Sequence, residues 1–380
     1  MVFEKGGVKS PMRPLGLTQG VAHAALVGPE ELARGAGLET IVRLGSNESP
    51  FGPSPKAIAA MRAEAERANR YGDPSVSDLR EAIAARHGVS PKNVSVGAGI
   101  DDLLGWIVRA YASNGGAAVA ALGSFPTFEM HVTGFGTRLE RVPYREDGHI
   151  DLEGFLDAAR RLGGALIFLP NPDNPSGSMH PWHDVVAFLD ALPDGSLLIH
   201  DEAYANFLEG DARFPRDAID PRMIRLRTFS KEYGLAGARV GYALASPDAI
   251  TALDAVRLLY GVSRPAQAAA LAALGDDEFV ASVLTRIAEG RAEYHALGAR
   301  LGLRTLPSAT NFVLFDFGSA PRAKDALDAL LRYRIHVRKP PFPPLDRYVR
   351  ISVGMRSERT QLAAALDAIV GGTLHTPNGG

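Results

Sequence analysis

The 380-residue chain has no cysteine, which excludes disulfides, thiolate metal ligands, cysteine nucleophiles and iron–sulfur ligation. Neither sign of charge is in excess. The 41 Lys and Arg against 43 Asp and Glu leave a formal −2, without the basic footprint of a nucleic-acid or membrane-surface protein. Long apolar runs are missing too, and a stretch such as Ala165–Pro170 is far too short to span a bilayer. Behind Glu4, Lys5 and Lys9 there is no apolar segment, so no secretory signal and a cytoplasmic location are expected. His131, His149, His180, His183 and His200 share no metal-ligand spacing, and no metal is expected. What is present is ordinary globular composition, 46% apolar and 22% charged, long enough for two packed domains.

Residues 1–40 read as an arm leading into a short helix near Pro29–Arg34. Leu44–Pro55 has three prolines in its last six residues and cannot be regular structure. Pro55 suits the first turn of a helix over Lys56–Arg67. From residue 76 helices and strands alternate: helices over Val76–His87, Asp101–Ala112, Leu152–Leu162 and His183–Leu192, and strands at Val94–Val96, Ala117–Ala121, Arg138–Val142, Ala165–Leu169, Ser196–His200, Ile224–Thr228 and Val240–Ala243. The strands are short unalternated apolar runs, the pattern of strands covered on both faces. Such alternation predicts an α/β fold with a mostly parallel sheet. After a helix over Pro247–Tyr260 the pattern changes to long Ala-rich helices, then strands at Thr310–Phe317, Ile335–Arg338 and Tyr348–Val353, and a last helix over Ser357–Val370. The expected division is an N-terminal segment 1–55, a large domain 56–260 and a smaller α+β domain 261–380. A frayed tail is expected over Thr373–Gly380.

Four stretches carry chemistry. Gly97-Ala-Gly-Ile-Asp-Asp102 follows a strand and opens a helix, which aims free N–H groups and a positive dipole end at one spot fit for an anion. It is equally a plain turn with Asp101 as helix cap, and no Gly-Lys-Ser/Thr makes it a Walker A loop. Asn171-Pro-Asp-Asn-Pro-Ser-Gly177 lies at the carboxyl end of a core strand, where open α/β sheets place their ligands. His200-Asp-Glu-Ala-Tyr204 ends another strand in two carboxylates; Asp201 is either a helix cap or the partner of a protonated ring nitrogen. In Arg227-Thr-Phe-Ser-Lys-Glu-Tyr-Gly234, Lys231 sits among hydroxyls and glycines between core strands, with Arg239 eight residues on. An amine beside that guanidinium would have the lowered pKa that a Schiff-base lysine needs.

These motifs resemble the class I/II aminotransferases of the type I pyridoxal-phosphate fold. Ser46-Asn-Glu-Ser-Pro-Phe-Gly-Pro-Ser-Pro55, Arg70-Tyr-Gly-Asp-Pro74 and Arg347-Tyr-Val-Arg-Ile-Ser-Val-Gly354 narrow the resemblance to the histidinol-phosphate aminotransferase branch, over about Leu44 to Val370. The resemblance implies pyridoxal 5′-phosphate as cofactor, linked covalently to Lys231, whose freed amine is the general base. It assigns Asp201 to the pyridine nitrogen, and Tyr204 and Asn174 to the ring hydroxyl. Gly99, Ile100, Asp101, Ser230, Arg239 and Thr228 are assigned to the phosphate, Phe128 to stacking on the ring. Tyr71 would reach the phosphate in a neighbouring subunit, making a homodimer. Arg350, helped by Asn174, would take the substrate α-carboxylate and Arg338 a substrate phosphate.

Three departures stand out: Phe128 where the family has tyrosine, Ile100 where serine is usual, and the four prolines between Val337 and Leu345. The implied reaction moves an amino group between a donor and a 2-oxo acid, histidinol phosphate and 2-oxoglutarate first. Aromatic amino acids, or decarboxylation of the threonine-phosphate type, are the alternatives. A dinucleotide- or S-adenosylmethionine-binding Rossmann protein would explain the glycine turn but not the Lys231 loop. A non-catalytic protein on this fold would not take up the cofactor.

Overall fold

The computed structural model describes residues 27–112, 115–208 and 210–372. The expected arm as far as residue 26 and the tail Thr373–Gly380 lie outside the described residues. The strands, in chain order, are β1 (Val42–Arg43), β2 (Val94–Gly97), β3 (Ala117–Ala121), β4 (Arg138–Val142), β5 (Leu166–Pro170), β6 (Leu197–Asp201), β7 (Met223–Thr228), β8 (Gly241–Leu244), β9 (Phe312–Asp316), β10 (Ile335–His336) and β11 (Tyr348–Ser352).

Seven of them form one sheet in the order β2-β8-β7-β6-β5-β3-β4. It is parallel except for β8, which runs antiparallel to both β2 and β7. Alternate residues of the core strands serve different cores. Ile167, Leu169 and Leu198 join the cluster containing Phe155 and Phe188, whereas Leu166, Phe168 and Ile199 join the one containing Leu103, Leu104 and Ile107. Both faces of each strand are therefore buried, which is why these runs show no polar alternation.

Two smaller ladders involve strands of the last third. Strands β9 and β11 pair antiparallel, and β1 pairs parallel with β10, which stitches the amino-terminal segment to residues near 335. The stitching continues with Leu44 N–H to His336 C=O at 2.8 Å and Ser352 N–H to Leu44 C=O at 2.8 Å.

Boundaries shift for local reasons. The helix expected over Val76–His87 begins at Ser77, because Val76 adopts φ +52° while the Asp73 carboxylate accepts the Ser75 and Ser77 N–H groups at 2.9 and 2.7 Å. The helix expected to reach Tyr260 stops at Val256; Arg257 turns to extended backbone and donates to the Pro74 carbonyl at 2.7 Å. The strand expected over Ile335–Arg338 is two residues long, followed by an isolated bridge between Arg338 and Arg350. Pro340 and Pro341, lacking N–H donors, allow no continuation. Among the described residues no helix is long and apolar enough to cross a membrane.

Candidate active site

The glycine turn after β2 places Gly99 at φ +89° as the residue before the helix Ile100–Tyr111. Asp101 is thus inside the first turn and not the cap, which removes the plain-cap reading. Its carboxylate accepts Arg239 Nη2 at 3.0 Å. A Cβ built on Gly99 would overlap that guanidinium, so arginine and turn are pressed together. Gly241 backs onto the same turn, its hypothetical Cβ 3.0 Å from Gly99 C and Ile100 N, and β8 pairs Gly241 with Thr228. Thr228 and Ser230 are buried beside one another, Thr228 Oγ1 donating to Ser230 Oγ at 2.9 Å. First-turn N–H groups, two hydroxyls and Arg239 therefore converge at the carboxyl ends of β2 and β7. Arg239 is turned to Asp101 and to the Ala236 carbonyl, and the expected pairing of guanidinium with the Lys231 amine is not among its contacts.

Asp201, at the end of β6, is 5% exposed and accepts Ala203 N–H at 2.9 Å. Among the described residues it forms no ion pair. Burial, with repulsion from Asp101 and Glu202 against attraction from Lys231, pushes it up to about 7. Such a carboxyl lacks a cation. Its neighbour Glu202 has two: Arg225 Nη2 lies at 3.0 and 3.1 Å from its two oxygens and Arg227 Nη1 at 3.4 Å. Against the opposing effect of burial, these arginines hold Glu202 down to about 2. The two adjacent carboxylates thus differ by environment alone.

Lys231 donates from Nζ to the Asn47 carbonyl at 3.2 Å and stands 5.5 Å from the Tyr204 ring centroid. Asn47, which sequence reasoning did not single out, is the hub of the site. Its Nδ2 donates to Tyr204 OH at 2.9 Å, its Oδ1 accepts Ser352 Oγ at 2.9 Å, and its carbonyl also accepts Asn311 Nδ2 at 3.0 Å. It is 2% exposed at φ +53°. The available signal was an asparagine inside a proline-bounded turn, since asparagine is the non-glycine residue most tolerant of that backbone. Behind Lys231, Gly234 packs on the Gly52 carbonyl so closely that any Cβ would run into it.

Arg350 on β11 donates from Nη1 to Asn174 Oδ1 and from Nη2 to the Gly45 carbonyl at 2.7 Å. Its buried Nε has no hydrogen-bond partner among the described residues, and burial pulls its pKa down to about 10. Neutral oxygens alone do not neutralise a guanidinium, so this fork is poised for an anion. Arg338, backbone-paired with Arg350, donates to the Val27 carbonyl at 3.0 Å. Phe128, expected to stack on the cofactor ring, is buried and stacked on Phe168 at 4.7 Å and 19°. Without a hydroxyl to keep hydrated, the ring joins the apolar cluster. Tyr71 is 76% exposed and stacks on Tyr260 at 4.3 Å, beside exposed Leu258 and Leu259.

Known proteins are similar in sequence and fold. A histidinol-phosphate aminotransferase from Sinorhizobium meliloti, solved in complex with pyridoxal-5′-phosphate, superposes with a TM-score of 0.90 and 44% identity, covering 96% of this chain and 100% of that one. The histidinol-phosphate aminotransferase of Anaeromyxobacter sp. (strain Fw109-5) is 38% identical over 351 residues, 90% of this chain and 94% of that protein. Histidinol-phosphate aminotransferase 1 of Mesorhizobium japonicum is 38% identical over 335 residues, 87% of this chain and 90% of its own length. The expected fold, a mostly parallel sheet between helices as in the fold type I enzymes, is the observed one. The model for "Aminotransferase class I and II" matches residues 39–369, nearly all of the described structure, and the chain belongs to that family.

Proposed function

We propose that this protein is a pyridoxal 5′-phosphate-dependent aminotransferase of the histidinol-phosphate type, with a 2-oxo acid such as 2-oxoglutarate as acceptor. The observation that carries it is the buried, cation-lacking Asp201 at the same end of the sheet as the Lys231 amine and the unneutralised Arg350 fork. The donor set fits the cofactor. Lys231 would hold its aldehyde carbon, Asp201 its protonated ring nitrogen, and Tyr204 and Asn174 its ring hydroxyl. The N–H groups of Ile100 and Asp101 behind Gly99, with Thr228, Ser230 and Arg239, would surround its phosphate. When bound, the cofactor supplies an electron-withdrawing ring that stabilises negative charge at the donor Cα.

The remaining work belongs to the chain. Arg350 binds the donor α-carboxylate through paired N–H groups, which fixes the Cα–H bond toward Lys231. Lys231 Nζ, held beside the Asn47 carbonyl, would be the base that takes the Cα proton and hands it back across the amino nitrogen of the donor. Arg338 takes the distal phosphate in exchange for the Val27 carbonyl, and Phe128 stays in the core beside Phe168. The names of the relatives at 38–44% identity support this substrate.

The same reading makes the protein a cytoplasmic homodimer in which Tyr71 reaches the partner's site. The exposed Tyr71–Tyr260 stack flanked by Leu258 and Leu259 supports that surface. It also divides the chain into a segment 1–55, a large domain 56–260 and a small domain 261–380, supported by the β1–β10 ladder and by the confinement of the large sheet to residues 94–244.

The test is a donor panel (histidinol phosphate, phenylalanine, tyrosine, threonine phosphate) with 2-oxoglutarate, followed by the visible absorbance of the lysine-bound cofactor. Histidinol phosphate should bleach it fastest and turn over only with acceptor. Lys231→Ala should show neither absorbance nor turnover. Failure to take up cofactor, or a Lys231→Ala variant as fast as wild type, would refute the assignment. A faster phenylalanine reaction would replace the substrate, and carbon dioxide release without acceptor would replace the reaction.

A further inference from the structure

A connected set of polar side chains lies behind the site, on the sheet face opposite Asp201. Glu202 follows Asp201, Asn206 stands two residues after Tyr204, Arg227 precedes Thr228, and Glu232 follows Lys231. These four neighbours of site residues bond to one another. Glu202 accepts Arg225 and Arg227, the second at 3.4 Å. Arg227 Nη2 donates to Asn206 Oδ1, and Asn206 Nδ2 donates to Glu232 Oε1. The Asn206 carbonyl accepts Arg213 Nη2 at 3.1 Å, fixing the short turn Ala205–Phe207 that carries it. Glu232 is 3% exposed, and among the described residues its buried Oε2 has no hydrogen-bond partner.

An unpaired buried carboxylate oxygen is costly unless something requires the group to be there. The strands that lead to Tyr204 and Lys231 are already paired, with Glu202 N–H donating to the Leu226 carbonyl at 2.8 Å; beyond the strand ends the Asn206–Glu232 bond ties the Tyr204 turn to the residue next to Lys231. The Tyr204 and Lys231 side chains share no direct hydrogen bond; the amine stands 5.5 Å over the Tyr204 ring, and both are tied to the Asn47 turn from the other side. Asn47 therefore holds the front of the pair, and the Asn206–Glu232 contact holds the back.

We propose that Glu232 and Asn206 are positioning residues for Lys231: their mutual bond, anchored through Arg227 to Glu202, sets the distance between the lysine amine and Tyr204. Neither touches a substrate. The inference rests on Lys231 being the cofactor-bearing lysine, and wild-type absorbance tests that reading separately.

The experiment is a double-mutant cycle with Glu232→Ala, Asn206→Ala and both, plus Glu232→Gln, whose carboxamide oxygen still accepts from Asn206. Three quantities are measured: kcat and KM for the amino donor; the pH midpoint of the visible absorbance; and, in the cofactor-free chain, the rate at which free pyridoxal is trapped on Lys231 by cyanoborohydride. Each alanine variant should lower kcat about tenfold with donor KM within about twofold, the scale expected for a small misplacement of a reacting group. The double variant should be no slower than the worse single one, because both break the same bond. The absorbance midpoint should move and the trapping rate should change in both singles, and Glu232→Gln should recover most of the wild-type values. Additive losses in the double variant, or alanine variants with wild-type kcat, midpoint and trapping rate, overturn the proposal. Should Glu232→Ala fail to fold, Asn206→Ala and Glu232→Gln decide it. If wild-type protein binds no cofactor, the trapping rates still decide the positioning while the functional reading falls.

Discussion

Replacing Asp201 by asparagine in the cofactor-free protein should make it more stable, and by an amount that depends on pH. Asp201 is buried and pushed up from an ordinary 3.8 to about 7. The folded chain therefore keeps a proton that the unfolded chain has already lost. Wherever the folded state binds more protons, stability falls as pH rises. The wild type should lose stability from about pH 4 to about pH 7 and be level in this respect above that. The gap corresponds to about 4 kcal/mol as an upper bound, at about 1.4 kcal/mol per pH unit. Asp201→Asn keeps an acceptor for the Ala203 N–H but cannot ionise. Urea unfolding of both proteins between pH 5 and pH 8.5 gives the difference directly, free of every group the two share. The difference should grow in favour of the variant up to about pH 7 and then hold. Loading with pyridoxal phosphate should reverse the ranking, because a protonated ring nitrogen gives the wild-type carboxylate its missing cation. A difference that stays flat with pH, or one that shrinks as pH rises, would refute the argument.

Gly99→Ala combines a left-handed backbone with a Cβ inside the Arg239 guanidinium. It should weaken cofactor affinity at least tenfold by equilibrium dialysis and cost about 1–2 kcal/mol in urea unfolding. Asn47→Ala removes the bonds to Tyr204 and Ser352, and thermal unfolding should show a loss of about 2 kcal/mol together with slower single-turnover amino transfer. Arg350→Lys should lower kcat/KM for every donor by roughly 10- to 100-fold in steady-state assays, since a lysine cannot supply the paired N–H groups, while the visible absorbance of the bound cofactor stays unchanged.

The centre of the large sheet was legible in the sequence because strands such as β5 and β6 are short apolar runs between helices, a pattern that burial on both faces imposes. Site residues at strand ends, Asp201 and Thr228 among them, were legible because position in an α/β sheet already ranks them. Asn47 was not. Its importance comes from contacts with Ser352 and Asn311, about 300 and 260 residues away, and nothing local announces them. For Phe128 the motif position was legible, but its stacking on Phe168 was not, because only tertiary packing brings the two rings together. Nor could spacing reveal that Arg239 turns to Asp101, since that choice is made by the pressure of Gly99 and Gly241 against the turn.

The bond between Asn47 and Ser352 has a consequence for biosynthesis. Those residues are separated by 305 positions, as the β1–β10 ladder separates its partners by nearly as many. While the chain is emerging from a ribosome, the large sheet has all its strands after residue 244, yet the carbonyl that receives the lysine is without the neighbours that hold it. A binding-competent cleft is thus a late, essentially post-translational event, and nascent chains ending before residue 352 should be helical and sheet-rich but unable to retain cofactor.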